Sequence, residues 1–183
     1  MTAIVAVLAG GAGRRIGGDK AGVLLAGRPL ISYPLEAATR AQLETVVVAK
    51  AATTLPALRT AVMIEPAHLP QHPLSGIVTV LRSFPALVAV PCDMPFVTAG
   101  LLRALADADG ELVTAASGLP FPGRYTAALL DPLDAALKAE ASLRSVLNEA
   151  NASVLAGIDP ALLFSVNSPE YLAEAERAVV RAL

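Results

Sequence analysis

The sequence predicts an α/β fold, a Rossmann-like three-layer sandwich with a mostly parallel central sheet. Three observations predict it. Short apolar runs recur, as in AIVAVLA (3–9), TVVVA (45–49) and ALVAVPC (86–92). Such runs lack polar alternation, the mark of strands buried on both faces. Helical patterns separate the runs, and strands alternating with helices imply crossover units on a parallel sheet. A glycine-rich stretch, GGAGRRIGGDK (10–20), follows the first run at once, where open sheets of this kind receive ligands.

Taken in order, 3–9 is a buried strand and ISYPLEAATRAQ (31–42) a helix bent or started near Pro34. TVVVA (45–49) and AVMI (61–64) are strands. SGIVTVLRSF (75–84) has helical spacing at Ile77, Val80, Leu81 and Phe84. ALVAVPC is a strand that Pro91 ends. Residues 98–108 form a helix with Thr98 as its N-cap. ELVTAA (111–116) and YTAALL (125–130) read as strands, PLDAALKAE and SLRSVLNEA as helices, the second capped by Ser142. SVLAGI (153–158) is a late strand, and Ser168-Pro169-Glu170 opens a final helix with Pro at its first position. Neither a repeat nor a linker interrupts the pattern, so residues 1–183 are expected to form one domain.

Composition narrows the function classes. The 183 residues are 55% hydrophobic and 16% charged, with a net charge of −2. That gives no general attraction to nucleic acid or acidic membrane. No stretch reaches the roughly 18 apolar residues of a membrane span, and the apolar start lacks the flanks of a signal peptide. A cytoplasmic protein is the expectation. One cysteine, Cys92, excludes an internal disulfide framework and a cysteine-based zinc site.

The glycine stretch holds the first chemical signal. Glycine lets a ligand approach backbone N–H groups, and several such groups in one loop form an anion-binding concavity. Arg14, Arg15 and Lys20 add charge suited to phosphate. The stretch therefore reads as a polyphosphate cradle. It is not a P-loop, because Gly18 precedes Asp19 and Lys20 precedes Ala21. Nor is it a dinucleotide fingerprint, because Ile16 stands where the last glycine belongs.

The second signal is VPCDMPFV (90–97). Asp93 sits just past an apolar strand between Pro91 and Pro95. One carboxylate plus substrate phosphates is enough to hold Mg²⁺, which keeps several of its waters. Cys92 reads as a small buried apolar residue rather than a nucleophile. His68 and His72 are four residues apart, but Pro70 and Pro73 argue against a helix that would join them as ligands. Their segment reads as a loop beside an acceptor substrate.

These motifs carry a resemblance. LAGGAGRRIGGDKA resembles the signature loop of the Rossmann-like nucleotidyltransferases, and within them the molybdenum cofactor guanylyltransferase family (MobA-like NTP transferases). LAGRPL, HPLSGI, VPCDMP and VNSPEYL resemble later segments of that family, in order, over nearly all of residues 3–174. The resemblance implies a transferase that moves GMP from GTP to molybdopterin with release of pyrophosphate. It implies that backbone groups of Leu8, Ala9, Gly10, Gly11 and Gly13 hold the nucleotide and that Arg14 and Lys20 offset phosphate charge. Asp93 would bind magnesium and belong with Lys20 to both the catalytic and nucleotide-binding sets. Asn167 would lie on the acceptor side, and transient contact with other cofactor-biosynthesis proteins would follow.

The chain departs from the family at Ala49, where the family has a nucleotide-contacting Asn, and at Pro66, where it has an Asp. Glu65 adjoins Pro66, but neighbouring side chains in a strand point to opposite faces. Ser165 replaces the first Asn of an N-x-N pair, and Arg124 stands in the acceptor-side segment. Alternatives therefore stay open: a transferase using CTP or another phosphorylated acceptor, or a nucleotide-binding homologue without catalysis. Gly10 is the residue that resembles the guanine-using branch.

Overall fold

The computed structural model describes residues 3–11, 18–70 and 72–181. Strand β1 (Ile4–Leu8) leads to a two-stranded hairpin, β2 (Leu24–Leu25) and β3 (Arg28–Pro29), then helix α1 (Ser32–Arg40). Strands β4 (Thr45–Ala49) and β5 (Ala61–Ile64) precede α2 (Pro73–Leu81). Strand β6 (Ala86–Pro91) leads to α3 (Ala99–Asp107), then β7 (Leu112–Ala116) and β8 (Leu119–Thr126). Helices α4 (Leu130–Lys138) and α5 (Leu143–Glu149), the short β9 (Ser153–Val154) and α6 (Pro169–Arg181) complete the order.

The main sheet has seven strands in the order β5-β4-β1-β6-β8-β7-β9. Strands β5, β4, β1 and β6 run parallel. β8 is antiparallel to both β6 and β7, while β9 runs with β7. The mostly parallel sheet is as the sequence implies. Alternation along β1 sorts the core into two layers. Val5, Val7 and Ala9 pack with Ala38 of α1 and Leu102 and Leu105 of α3. Ile4 and Ala6 pack on the opposite face with Ile77 of α2, Leu133 of α4 and Val146 of α5. Both faces of β1, β4 and β6 are covered, which explains why these strands read as apolar runs. A smaller cluster of Leu25, Leu30, Val166 and Ala175 joins the hairpin to α6.

Two caps agree with expectation: the Thr98 and Ser142 side chains accept from the N–H groups of Leu101 and Ser145. Other elements shift. The expected strand at 125–130 is mostly helical, because β8 begins earlier, at Leu119. Its Pro- and Gly-rich start, LPFPG, reads as a turn, but pairing with β6 and β7 runs over Gly123–Tyr125. The late strand is cut to Ser153–Val154. The hairpin β2–β3 is invisible to alternation because each arm is two residues long. Its turn is Ala26-Gly27, both at positive φ, as a primed two-residue turn requires.

Helix α2 starts two residues before the expected point. His72 is its N-cap, with Nδ1 accepting from the Leu74 N–H at 3.2 Å. Burial lowers the His72 pKa below its ordinary 6.5, against a smaller opposing pull from Glu140. The unfolded chain thus protonates first, so His72 supports the fold above about pH 6.5 and that support is lost as pH falls further. Protonated Nδ1 can no longer accept the cap bond. Melting temperature should drop between pH 7.5 and 5.5 by an amount that His72→Asn, which keeps an acceptor but does not titrate, lacks.

Candidate active site

The functional side chains converge because parallel strands end on one edge. β1, β4, β5 and β6 all deliver their next residues to that edge, and a cavity of about 430 Å³ opens there. Leu8, Gly10 and Gly11 follow from β1, Lys50 from β4, Glu65 from β5, and Cys92 and Asp93 from β6; all line it. Lys20 and Asn167 close it from the segments after the glycine loop and before α6.

Asp93, Lys20 and Asn167 meet although 73 and 147 residues separate Lys20 from the other two. Lys20 Nζ donates to Asp93 Oδ2 at 2.5 Å and also to Asn167 Oδ1. The Asp93 carbonyl accepts from the Val166 N–H at 2.8 Å, which pins the late segment against the β6 turn. Asn167 Nδ2 donates to Ser165 Oγ at 2.8 Å, so Ser165 orients the amide whose oxygen faces Lys20. The Asp93 side chain is 7% exposed and its Oδ1 has no hydrogen-bond partner among the described residues. A buried, unpaired carboxylate oxygen is costly unless a ligand meets it. Among the described residues no group of three acidic, His or Cys ligands surrounds it. This donor set fits a hard cation that keeps waters and takes its remaining oxygens from a phosphorylated substrate.

At the other end of the cavity Lys50 Nζ donates to Glu65 Oε2 at 2.7 Å. Glu65 is buried, and its N–H donates to the Ala49 carbonyl at 2.8 Å. Strand alternation left open whether Glu65 reaches the site; it lies one residue past β5 and lines the cavity. Lys50 was not foreseen. Its signal was its place one residue past β4, opposite Glu65 across the register Ala49↔Ile64.

Other expected residues separate. Gly13 and Arg14, with Arg15, lie outside the described residues. The Ala9 N–H is not free for a nucleotide, because it donates to the Val48 carbonyl at 2.8 Å; Ala9 is buried core. The Leu8 carbonyl likewise accepts from the Cys92 N–H at 3.0 Å. The parallel ladder thus holds through Ala9, the last residue of the expected strand. Arg124 does not line the cavity: it donates to the carbonyl of Ala106, in the last turn of α3, and to that of Gly110 just after the helix. Cys92 is buried, which with the neighbouring Asp93 charge pushes its thiol up to about 12; at neutral pH it is no nucleophile.

A doubly covered parallel sheet, a glycine-led turn after its first strand and a lone acidic turn opening on one cavity define a nucleotidyltransferase-type α/β protein. The chain belongs to the family of MobA-like NTP transferase domains, whose model matches residues 5–154. It is 34% identical, over 93% of each chain, to a molybdenum cofactor guanylyltransferase of Cereibacter sphaeroides. Among solved structures it resembles molybdopterin-guanine dinucleotide biosynthesis protein A of Archaeoglobus fulgidus, with a TM-score of 0.81 at 24% identity, covering 97% of this chain and 98% of that one. The 2-C-methyl-D-erythritol 4-phosphate cytidylyltransferase of Thermus thermophilus shares the fold at a TM-score of 0.72 and 18% identity, covering 99% and 100%.

Proposed function

We propose that the chain transfers GMP from GTP to a phosphate of molybdopterin and releases pyrophosphate. The observation that carries nucleotidyl transfer is the meeting of buried Asp93, its Oδ1 unpartnered, with Lys20 at the cavity edge. The guanylyl donor and pterin acceptor are supported by the likeness to the Cereibacter sphaeroides guanylyltransferase along 93% of both chains. The whole of residues 1–183 is taken as one transferase domain.

An oxygen of the acceptor phosphate attacks the α-phosphorus in line. The bond from that phosphorus to the bridging oxygen breaks, and its electron pair leaves on pyrophosphate. No covalent protein intermediate is needed, so positioning and charge neutralisation supply the catalysis. Gly10 and Gly11 offer backbone to the nucleotide, and Gly13 and Arg14, close behind them in the sequence, are assigned to the same nucleotide and its phosphates. Lys20 offsets negative charge on the phosphates. Asp93 holds magnesium, which when bound would neutralise phosphate oxygens as charge develops. Asn167, oriented by Ser165, holds the acceptor side of the same centre.

No described helix is long and apolar enough to cross a membrane; we place the reaction in the cytoplasm, with transient contact to the proteins that supply the acceptor. Pyrophosphate release with molybdopterin, Mg²⁺ and each nucleoside triphosphate in turn tests the reading. GTP should be the productive donor. Release with CTP but not GTP overturns the guanylyl assignment, and binding without release under any donor overturns catalysis.

A further inference from the structure

Resting on the nucleotidyl-transfer reading, we propose that Lys20 is a placeholder for the divalent cation. In the nucleotide-free chain its ammonium holds the cation position at Asp93. The phosphates of an arriving nucleotide draw it off and so admit the metal. Lys20 Nζ donates to Asp93 Oδ2 at 2.5 Å and also to Asn167 Oδ1. A carboxylate oxygen and an amide carbonyl are the donors a hard cation takes from a protein. The ammonium therefore sits where two such oxygens converge. Asp93 Oδ1, without a partner among the described residues, stays open to an ion. Oδ2 and the Asn167 oxygen open only when Lys20 leaves.

The acceptors are held in place, whereas the donor is free to swing. The Asp93 carbonyl accepts from the Val166 N–H at 2.8 Å, and Asn167 Nδ2 donates to Ser165 Oγ at 2.8 Å. The backbone around Lys20 is anchored too. Ala21 is fully buried and its carbonyl accepts from the Ile31 N–H at 3.3 Å. Asp19 Oδ2 accepts from the Thr54 N–H at 2.8 Å. What can move is the flexible aliphatic stem of Lys20. Its side chain is 19% exposed against 7% for Asp93, so the ammonium is the member of the pair that reaches the open cavity.

The two cations exclude each other. An ammonium donates and never accepts, and like charges a few ångströms apart in a buried site repel strongly. Phosphates compete with Asp93 for the ammonium, and an Asp93 that has lost it regains a full charge for the metal. The coupling is reciprocal: metal at Asp93 leaves Lys20 to the phosphates. Metal loading is thereby tied to nucleotide arrival. Minor states such as the one with Lys20 withdrawn are commonly about 0.1–10% populated. The ammonium thus weakens binding of metal alone by roughly tenfold to thousandfold.

The test measures Mn²⁺ dissociation constants on the nucleotide-free chain from the EPR signal of the free ion. Lys20→Met should bind Mn²⁺ tighter than the natural chain by roughly tenfold to thousandfold, and Asp93→Asn should lose the site. Lys50→Met removes the same charge from the same cavity without touching Asp93, and should stay close to the natural chain. No tightening in Lys20→Met, or an equal one in Lys50→Met, overturns the inference. The transferase reading then stands as long as Asp93→Asn loses Mn²⁺. Unchanged Mn²⁺ binding in Asp93→Asn overturns the metal role of Asp93, and the inference with it. If Lys20→Met does not fold, the natural chain labelled with ¹³C-lysine decides. Tripolyphosphate without metal should raise the melting temperature and move the Lys20 Cε signal, leaving that of Lys138 in place. A Lys20 signal that stays put while tripolyphosphate stabilises the chain overturns the inference alone. A chain that tripolyphosphate does not stabilise overturns the phosphate-binding reading beneath it.

Discussion

Asp93→Ala should abolish pyrophosphate release while leaving a folded chain. The expected loss is at least about a thousandfold in kcat, since preorganised charge at the reacting phosphates is worth several kcal/mol. Stability should move little. The native carboxylate is 7% exposed and, among the described residues, only its Oδ2 is paired, with Lys20, so removing it also removes a desolvation cost that the ion pair offsets in part. Lys20 keeps Asn167 as a partner and is 19% exposed, enough to reach water. A cooperative melt within a few degrees of the natural chain, joined to lost turnover with GTP and Mg²⁺, is the expected pair of results. Turnover near the natural rate at saturating Mg²⁺ would remove Asp93 from the reaction. Substitution to Asn is the sharper companion: it preserves shape and a single neutral oxygen, so activity lost there is charge lost, not packing.

What the sequence made legible follows from what each signal depends on. β1, β4 and β6 were plain because both faces of each are buried, and double burial writes an apolar run that no turn imitates. Thr98 and Ser142 were plain because capping is a local hydrogen bond between near neighbours. β8 was misplaced because its Pro- and Gly-rich start mimics a loop, and only pairing with β6 and β7 makes it a strand. In the site, Asp93 and Lys20 could be picked out by local motif, but their contact is long-range and depends on how the end of β6 and the segment at Lys20 reach one edge. The Ala9 N–H is taken by the Val48 carbonyl, a bond set by the register of β1 on β4 that no local motif reports. Lys50 and Glu65 share no motif: they are neighbours only through the register of β4 on β5. Motif recognition located the Asp93 end of the cavity, whereas the Lys50–Glu65 end is a product of strand order.

Lys20→Met should cost both activity and stability, the opposite pattern to Asp93→Ala in the second respect. The asymmetry lies in burial. Removing Lys20 strands a carboxylate that is 7% exposed, with neither a cation against Oδ2 nor a partner on Oδ1 among the described residues. Removing one member of a buried pair is expensive because the remaining charge stays desolvated. Allowing for the partial exposure of Lys20, the expected loss is roughly 3 kcal/mol, or about 6–12 °C in melting temperature for a chain of this size. Two controls separate this cause from lost packing. Lys20→Met with Asp93→Asn should regain most of the loss, because the stranded charge is gone; a double-mutant cycle reads that coupling directly. Millimolar Mg²⁺ should also restore Lys20→Met toward the natural melting temperature, because a divalent cation at Asp93 replaces the missing ammonium. It should do so without restoring turnover, since the charge that Lys20 places on the phosphates is still absent. A loss that neither Asp93→Asn nor Mg²⁺ relieves would mean that the Lys20 stem is held by packing and that its ammonium does not serve the carboxylate.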